Sequence, residues 1–228
     1  MALTKIIMGK KNKNKSNRYR LTRKEIDALM ASRVKVDGEN RVLVIGDVHA
    51  PFGRKDYLQF CIDTYNKYNC NKVVFIGDII DSHFGSFHIT DPDGMGGGAE
   101  LELAIEQIQE WYKAFPDADV TIGNHDAIIM RKAFDSGVPA IWIKSFNDVL
   151  GTPGWRWVND VIIDDVRYVH GHKSSKARTA AKRDMQSTVT GHFHTDMYVD
   201  WMFGAKKAVF AMAVGCGIDS ESYAMGYM

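Results

Sequence analysis

Cysteine is scarce: three in 228 residues, Cys61, Cys70 and Cys216, too few and too scattered for a disulfide framework or a zinc knuckle. A reducing, cytoplasmic setting is the expectation that follows. No apolar run approaches the roughly 18 residues that would suggest a membrane span. The first residues lack an apolar stretch followed by a small-residue cleavage site, so export is not expected. There is no internal repeat, and residues 1–24 contain no acid at all. That same segment holds nine of the 29 basic residues (Lys5, Lys10, Lys11, Lys13, Lys15, Arg18, Arg20, Arg23 and Lys24), leaving 20 against 28 acids elsewhere. A net charge of +1 therefore conceals a basic arm on a body of net charge −8. Such an arm suits phosphate contacts with nucleic acid, or equally a solubilising tail.

What is present is the composition of a soluble globular chain, 45% hydrophobic and 25% charged, long enough for one domain with an appendage. Thr22 and Glu25 have capping-box spacing and predict a helix to about Arg33, with Ile26, Leu29 and Met30 on one face. Residues 1–40 thus read as an arm plus a short helix, and the main domain as 41–228. Arg41–Gly46 and Lys72–Gly77 read as strands buried on both faces, with helical spacing from Tyr57 to Tyr65 between them. A second helix is expected over Ala99–Phe115 and ends at Pro116. A strand at Asp119–Ile122 follows, then helices near Ile128–Phe134 and Ala140–Val149. Trp155–Val158, Val161–Asp164 and Val166–His170 read as antiparallel hairpins joined by Asn-Asp and Asp-Asp turns. A helix near Ser175–Asp184 and strands at Thr188–Gly191, Met197–Trp201 and Ala208–Val214 complete the pattern. An α/β first half and a strand-rich second half predict a mixed α/β (α+β) fold of two packed sheets with outer helices.

Five clusters of metal-ligand residues punctuate these elements: Asp47-Val48-His49, Gly77-Asp78-Ile79-Ile80-Asp81, Gly123-Asn124-His125-Asp126, His170-Gly171-His172 and Gly191-His192-Phe193-His194. Each has a plain structural reading. Asp78 or Asp81 could cap a turn, Asn124 or Asp126 a helix, and a His pair could be a satisfied polar cluster. Together, at or near strand ends, they describe several strands converging on one polar site, where carboxylate, carboxamide and imidazole suit divalent ions.

In order, from about Arg41 to Val214, the five clusters resemble the signature of the calcineurin-like metallophosphoesterase superfamily. The resemblance implies a four-layer sandwich of two mixed sheets flanked by helices, with a dinuclear metal site at the strand ends. It implies one ion on Asp47, His49 and His194, the other on Asn124, His170 and His192, and Asp78 between them. His170, which directly ends its strand and precedes Gly171, is preferred to His172 as ligand. His125 takes the part of the catalytic imidazole and general acid, with Asp81 orienting it. Two divalent ions are implied, manganese first, with iron, zinc or nickel as alternatives. Pro153–Trp157 and Gln186–His192 further resemble phage-encoded members, which would place the protein in a host cytoplasm.

The reaction implied is phosphoester hydrolysis, with phosphodiesters of nucleotides or nucleic acid preferred. Members resembling Ser/Thr protein phosphatases carry Arg and Glu where this chain has Ser82 and Asp126. The alternatives are a phosphomonoesterase or protein phosphatase, and a non-catalytic scaffold or nucleic-acid-binding module on the same fold. Ser82–Gly98 reads as a long loop beginning beside Asp81, so His83 and His88, with His172, are candidate substrate contacts. Nothing in the sequence sets the oligomeric state.

Overall fold

Strand β2 (Lys72–Phe75) and the residue after it send successive side chains into different cores. Val73 and Phe75 enter a cluster with Ile108 and Trp111, whereas Val74 and Ile76 enter one with Val161, Tyr168 and Val189. Four successive apolar residues, Val73–Ile76, can do this only where both sheet faces are covered. The structure, a computed structural model, describes residues 40–87, 91–172, 176–205 and 207–222. The expected Thr22–Arg33 helix, the basic segment 5–24 and His88 lie outside the described residues.

The first sheet has the order β1-β2-β3-β4, from β1 (Val42–Ile45), β3 (Ala118–Thr121) and β4 (Trp155–Val158), and every pairing in it is parallel. Its outer face is covered by α1 (Tyr57–Lys67) and α2 (Gly97–Ala114), which bring Cys61, Ala104, Ile108 and Trp111 against Leu43, Ile45 and Phe75. The second sheet has the order β5-β6-β7-β9-β8. It is built from β5 (Asp160–Ile163), β6 (Val166–Val169), β7 (Ser187–Thr190), β8 (Met197–Phe203) and β9 (Ala208–Val214). This sheet is mixed, with β6, β7 and β9 parallel and β5 and β8 antiparallel to their neighbours. Helix α5 (Ala177–Asp184) covers its outer face through Ala177 and Ala181 against Ala211. Helix, sheet, sheet and helix are thus stacked as expected, although the first sheet is parallel throughout its described strands.

Two expected elements differ. Trp155–Val158 and Val161–Asp164 do not form a hairpin: β4 pairs in parallel with β3, and Asn159 alone links it to β5 in the other sheet. The Trp155 indole decides this. It packs 4.7 Å from the Phe75 ring and donates from Nε1 to the Phe115 carbonyl at 2.8 Å, both within the first core. The real hairpin is β5–β6, where Asp164 and Asp165 both adopt positive φ, 51° and 59°, as a two-residue turn of matching twist requires. The helix expected at Ala140–Val149 is split into a 3₁₀ turn at Ala140–Trp142 and α4 (Phe146–Leu150). Ile143 leaves the first in an extended conformation and Ser145 starts the second, its Oγ accepting from Asp148 N at 3.2 Å.

Candidate metal centre

Every cluster singled out in the sequence arrives at the seam between the two sheets, and the chain reaches it through unusual backbone. His49, Asp78, Ser82 and His192 have φ of 51°, 48°, 53° and 68°, and Gly77 has 96°. Left-handed non-glycine residues cost on the order of 1–3 kcal/mol each, and their gathering at one place marks geometry held by its surroundings. Those surroundings are visible. The amides of Val48 and His49 both donate to the Asp78 carbonyl, at 3.1 and 2.9 Å, and Asp81 N donates to Ala50 O at 3.0 Å. The loops after β1 and β2 are thereby zipped together.

Asp47, His49 and His194 form one ligand group, their candidate atoms all within 4.8 Å of one another. Asp47 is fully buried; its Oδ2 accepts from His192 N at 2.9 Å, while its Oδ1 has no hydrogen-bond partner. The His49 and His194 Nε2 atoms face each other at 3.0 Å. His49 Nδ1 donates to Asp81 Oδ1 at 2.6 Å, which leaves Nε2 with a lone pair aimed at the same point. Burial opposes charge on His49, yet its hydrogen bond to Asp81 and the field of Asp78 raise its pKa. His194, likewise opposed by burial, is raised to about 10 by Asp47 and the neighbouring Cys216.

Asp78, His170 and His192 form a second group. His170 Nδ1 donates to the Ile76 carbonyl at 2.8 Å, so its Nε2 is directed at Asn124 Oδ1, 3.0 Å away, and Asp78 Oδ2, 3.1 Å away. Asp78 Oδ2 also lies 3.8 Å from His49 Nε2, so one carboxylate stands between the two groups. Burial opposes the His170 charge, but Asp78 overcomes it and raises the imidazole to about 10. In return His170, followed by His125 and His49, holds Asp78 well below the usual carboxylate range against the cost of its own burial. His192 is lowered by burial and by His170. Convergent lone pairs and buried carboxylates, one oxygen unsatisfied, demand positive charge, and protons are the least specific way to supply it. Carboxylate, imidazole and carboxamide donors in two groups sharing Asp78 fit two divalent ions.

Asp81 is divided between two histidines. Its carboxylate holds His49, whereas it is its carbonyl oxygen that accepts from His125 Nδ1, at 2.6 Å. The carboxylate Oδ1 is 3.6 Å from that ring nitrogen. His125 N in turn donates to Asp78 Oδ1 at 2.8 Å, and its ring stands 4.7 Å, edge-on, from that of His49. Two acids carry structural work that sequence reasoning missed. Asp126 accepts from Ile79 N, Ile80 N and Gly123 N at 2.9, 3.2 and 2.9 Å, binding the second cluster to the third. Burial, and then Asp78, push its carboxyl up to about 7. Glu100 accepts from His83 N and Phe84 N at 2.7 and 3.1 Å and pins the chain leaving Asp81 into a 3₁₀ turn at His83–Gly85. The nearest signal was Glu100's place in the first turn of an otherwise apolar helix face. Of the three candidate substrate contacts, His83 is buried and its Nε2 accepts from Asp91 N at 3.3 Å, a contact within its own loop. His172 is exposed beside a cavity of about 320 Å³ that Arg167 and Arg183 also line. His88 is outside the described residues.

The model of the calcineurin-like phosphoesterase family matches residues 40–216. The chain belongs to the calcineurin-like phosphoesterase family. Membership makes it a metal-dependent phosphoester hydrolase, consistent with the two ligand groups at the strand ends. No curated protein matches the chain. Among solved structures, the Pseudomonas putida nuclease MPE is similar at 13% identity and a TM-score of 0.36, over 80% of this phosphoesterase and 76% of that chain. Among the described residues, no helix is long and apolar enough to cross a membrane.

Proposed function

We propose that this chain is a phosphodiesterase acting on nucleotides or nucleic acid. Asp47, His49 and His194 would hold one ion, Asn124, His170 and His192 the other, and Asp78 both. The observation that carries the metal assignment is the Asp78 carboxylate, 3.1 Å from His170 and 3.8 Å from His49. Two such ions, when bound, supply Lewis-acid stabilisation of charge on the phosphoryl oxygens and a nucleophile at neutral pH. His125 donates a hydrogen bond from Nδ1 to the Asp81 carbonyl, which fixes the ring and leaves Nε2 to act as the acid toward the leaving oxygen. Asp81 also aims His49 through its carboxylate, so one residue positions both a ligand and the acid. The preference for diesters rests on Ser82 and Asp126, where protein-phosphatase-like members carry Arg and Glu. In this chain Asp126 is committed to three backbone amides rather than to substrate.

A panel of bis-(p-nitrophenyl) phosphate, p-nitrophenyl phosphate, cyclic nucleotides, and single- and double-stranded DNA and RNA tests this. It is run with manganese, iron, zinc or nickel, with and without residues 1–24. Faster turnover of the monoester would replace the diesterase reading, and no turnover with any metal would favour a scaffold. His125→Ala should reduce turnover by about 10²–10⁴-fold while both ions still bind by calorimetry. Full activity in that variant removes His125 from the reaction.

A further inference from the structure

Three residues beyond His125, helix α3 (Ile128–Asp135) begins, and its outer side is not that of a surface helix. Ile129, Met130 and Phe134 on the helix, with Val138, Ile141 and Trp142 after it, are 37, 42, 82, 39, 92 and 79% exposed. With a large side chain presenting roughly 150–250 Å² when bare, these six leave on the order of 700 Å² of apolar surface uncovered. The largest such patch on a monomer is typically about 300–600 Å², and a stable protein–protein interface takes about 800 Å² per partner. The composition, aromatic and aliphatic with Met, is that of an interface centre.

The same face carries its own complement. A groove of about 500 Å³ opens between α3 and α4, lined by Met130, Phe146, Pro153 and Trp157, with Lys144 at its edge. Met130 belongs to both the patch and the groove. An exposed Ile141-Trp142 pair on a turn that contacts α3, with a groove large enough to receive an indole on the other side of Met130, is what a two-fold interface uses, each copy giving and accepting the same group. Nucleic acid fits less well. Ile129, Val138 and Ile141 offer no flat face for a base. Of the cations on this side, Arg131 and Lys132 are drawn over the Phe87 ring, at 4.4 and 5.2 Å from its centroid, and Lys144 and Arg156 line the groove itself.

We infer that a second copy of this chain docks on the α3–Trp142 face, with Trp142 of each copy entering the groove of the other. The interface then lies against the helix whose first turn hangs from the Gly123–His125 loop, through Ala127 N to Gly123 O and Ile128 N to His125 O, both 3.1 Å. Dimerisation would thus brace the segment that carries Asn124 and His125.

Sedimentation of the full chain reads mass without reference to metal or substrate, so its outcome is separate from that of the phosphodiesterase reading. The wild type should sediment at twice the 25.7 kDa of one chain. Trp142→Asp, and separately Ile141→Lys, should raise the dimer dissociation constant by at least about 30-fold, as loss of a central anchor does. Phe60→Asp on α1, a 64% exposed aromatic outside the proposed face, should leave it unchanged. Circular dichroism verifies folding, and Ile141, 92% exposed, is a site whose change leaves the core intact. A monomeric wild type overturns the inference, as does a dimer indifferent to both substitutions. A monomer that binds a single-stranded oligonucleotide through Trp142 gives the face to nucleic acid and overturns it equally.

Discussion

Asp81 touches two histidines with different atoms, and the two contacts can be separated. Asp81→Asn keeps the carbonyl that accepts from His125 Nδ1 and removes the charge that holds His49. It should weaken metal binding by about 10–100-fold by calorimetry, the usual effect of losing a ligand's outer partner. Turnover at saturating metal should fall much less than in His125→Ala. Gly191 is a second sensitive position, because a Cβ there would run into Asp47 Oδ1 and Ile76. Gly191→Ala should cost about 1–3 kcal/mol in urea unfolding and lower metal affinity with it. Glu100 offers a pH test. Burial, outweighing its bonds to Phe84 and His83, raises its pKa above the ordinary 4.5. A raised acid favours the fold fully below its unfolded pKa, and that contribution is lost as pH rises through the folded value. Glu100→Gln should therefore flatten the pH dependence of the melting temperature across and just above that range; an unchanged slope would remove Glu100 from it. The candidate ligands could be picked out in the sequence because each follows a strand, and strand ends are where sites collect. Glu100 was not, since its partners are amides 16 and 17 residues away that no local pattern announces.

Among the elements, the β-α-β unit, α2 and the β5–β6 hairpin could be read because their periodicity and their turn residues agree. The β4–β5 link could not. Asn159-Asp160 has turn chemistry, yet the choice between hairpin and crossover was made by Trp155, whose burial beside Phe75 is a tertiary fact. Trp155→Ala should accordingly cost about 3–5 kcal/mol in urea unfolding, the range for deleting a core aromatic. The break before α4 was equally hidden. Ile141 and Trp142 look like core residues of one continuous helix until Ser145 is seen capping a new one. Ser145→Ala should lower stability by about 1 kcal/mol, with turnover unchanged.

At the scale of the whole molecule, the proposed ligands are drawn from both sheets: Asp47, His49, Asp78 and Asn124 from the first, His170, His192 and His194 from the second. Metal should therefore stabilise the docking of one sheet on the other. Manganese at 100 times its dissociation constant should add about 2.7 kcal/mol. For a chain of this size that raises the melting temperature by about 5–10 °C. Asp78→Asn should abolish most of that rise. The segment after β9 completes the arrangement: Cys216 bridges to Asp47 and Gly217 N donates to the Asp47 carbonyl at 2.8 Å, closing the loop that carries the first proposed ligand. The Asp47 loop is thus an arch with two abutments, the Cys216–Gly217 segment against its backbone and His192 N against its carboxylate.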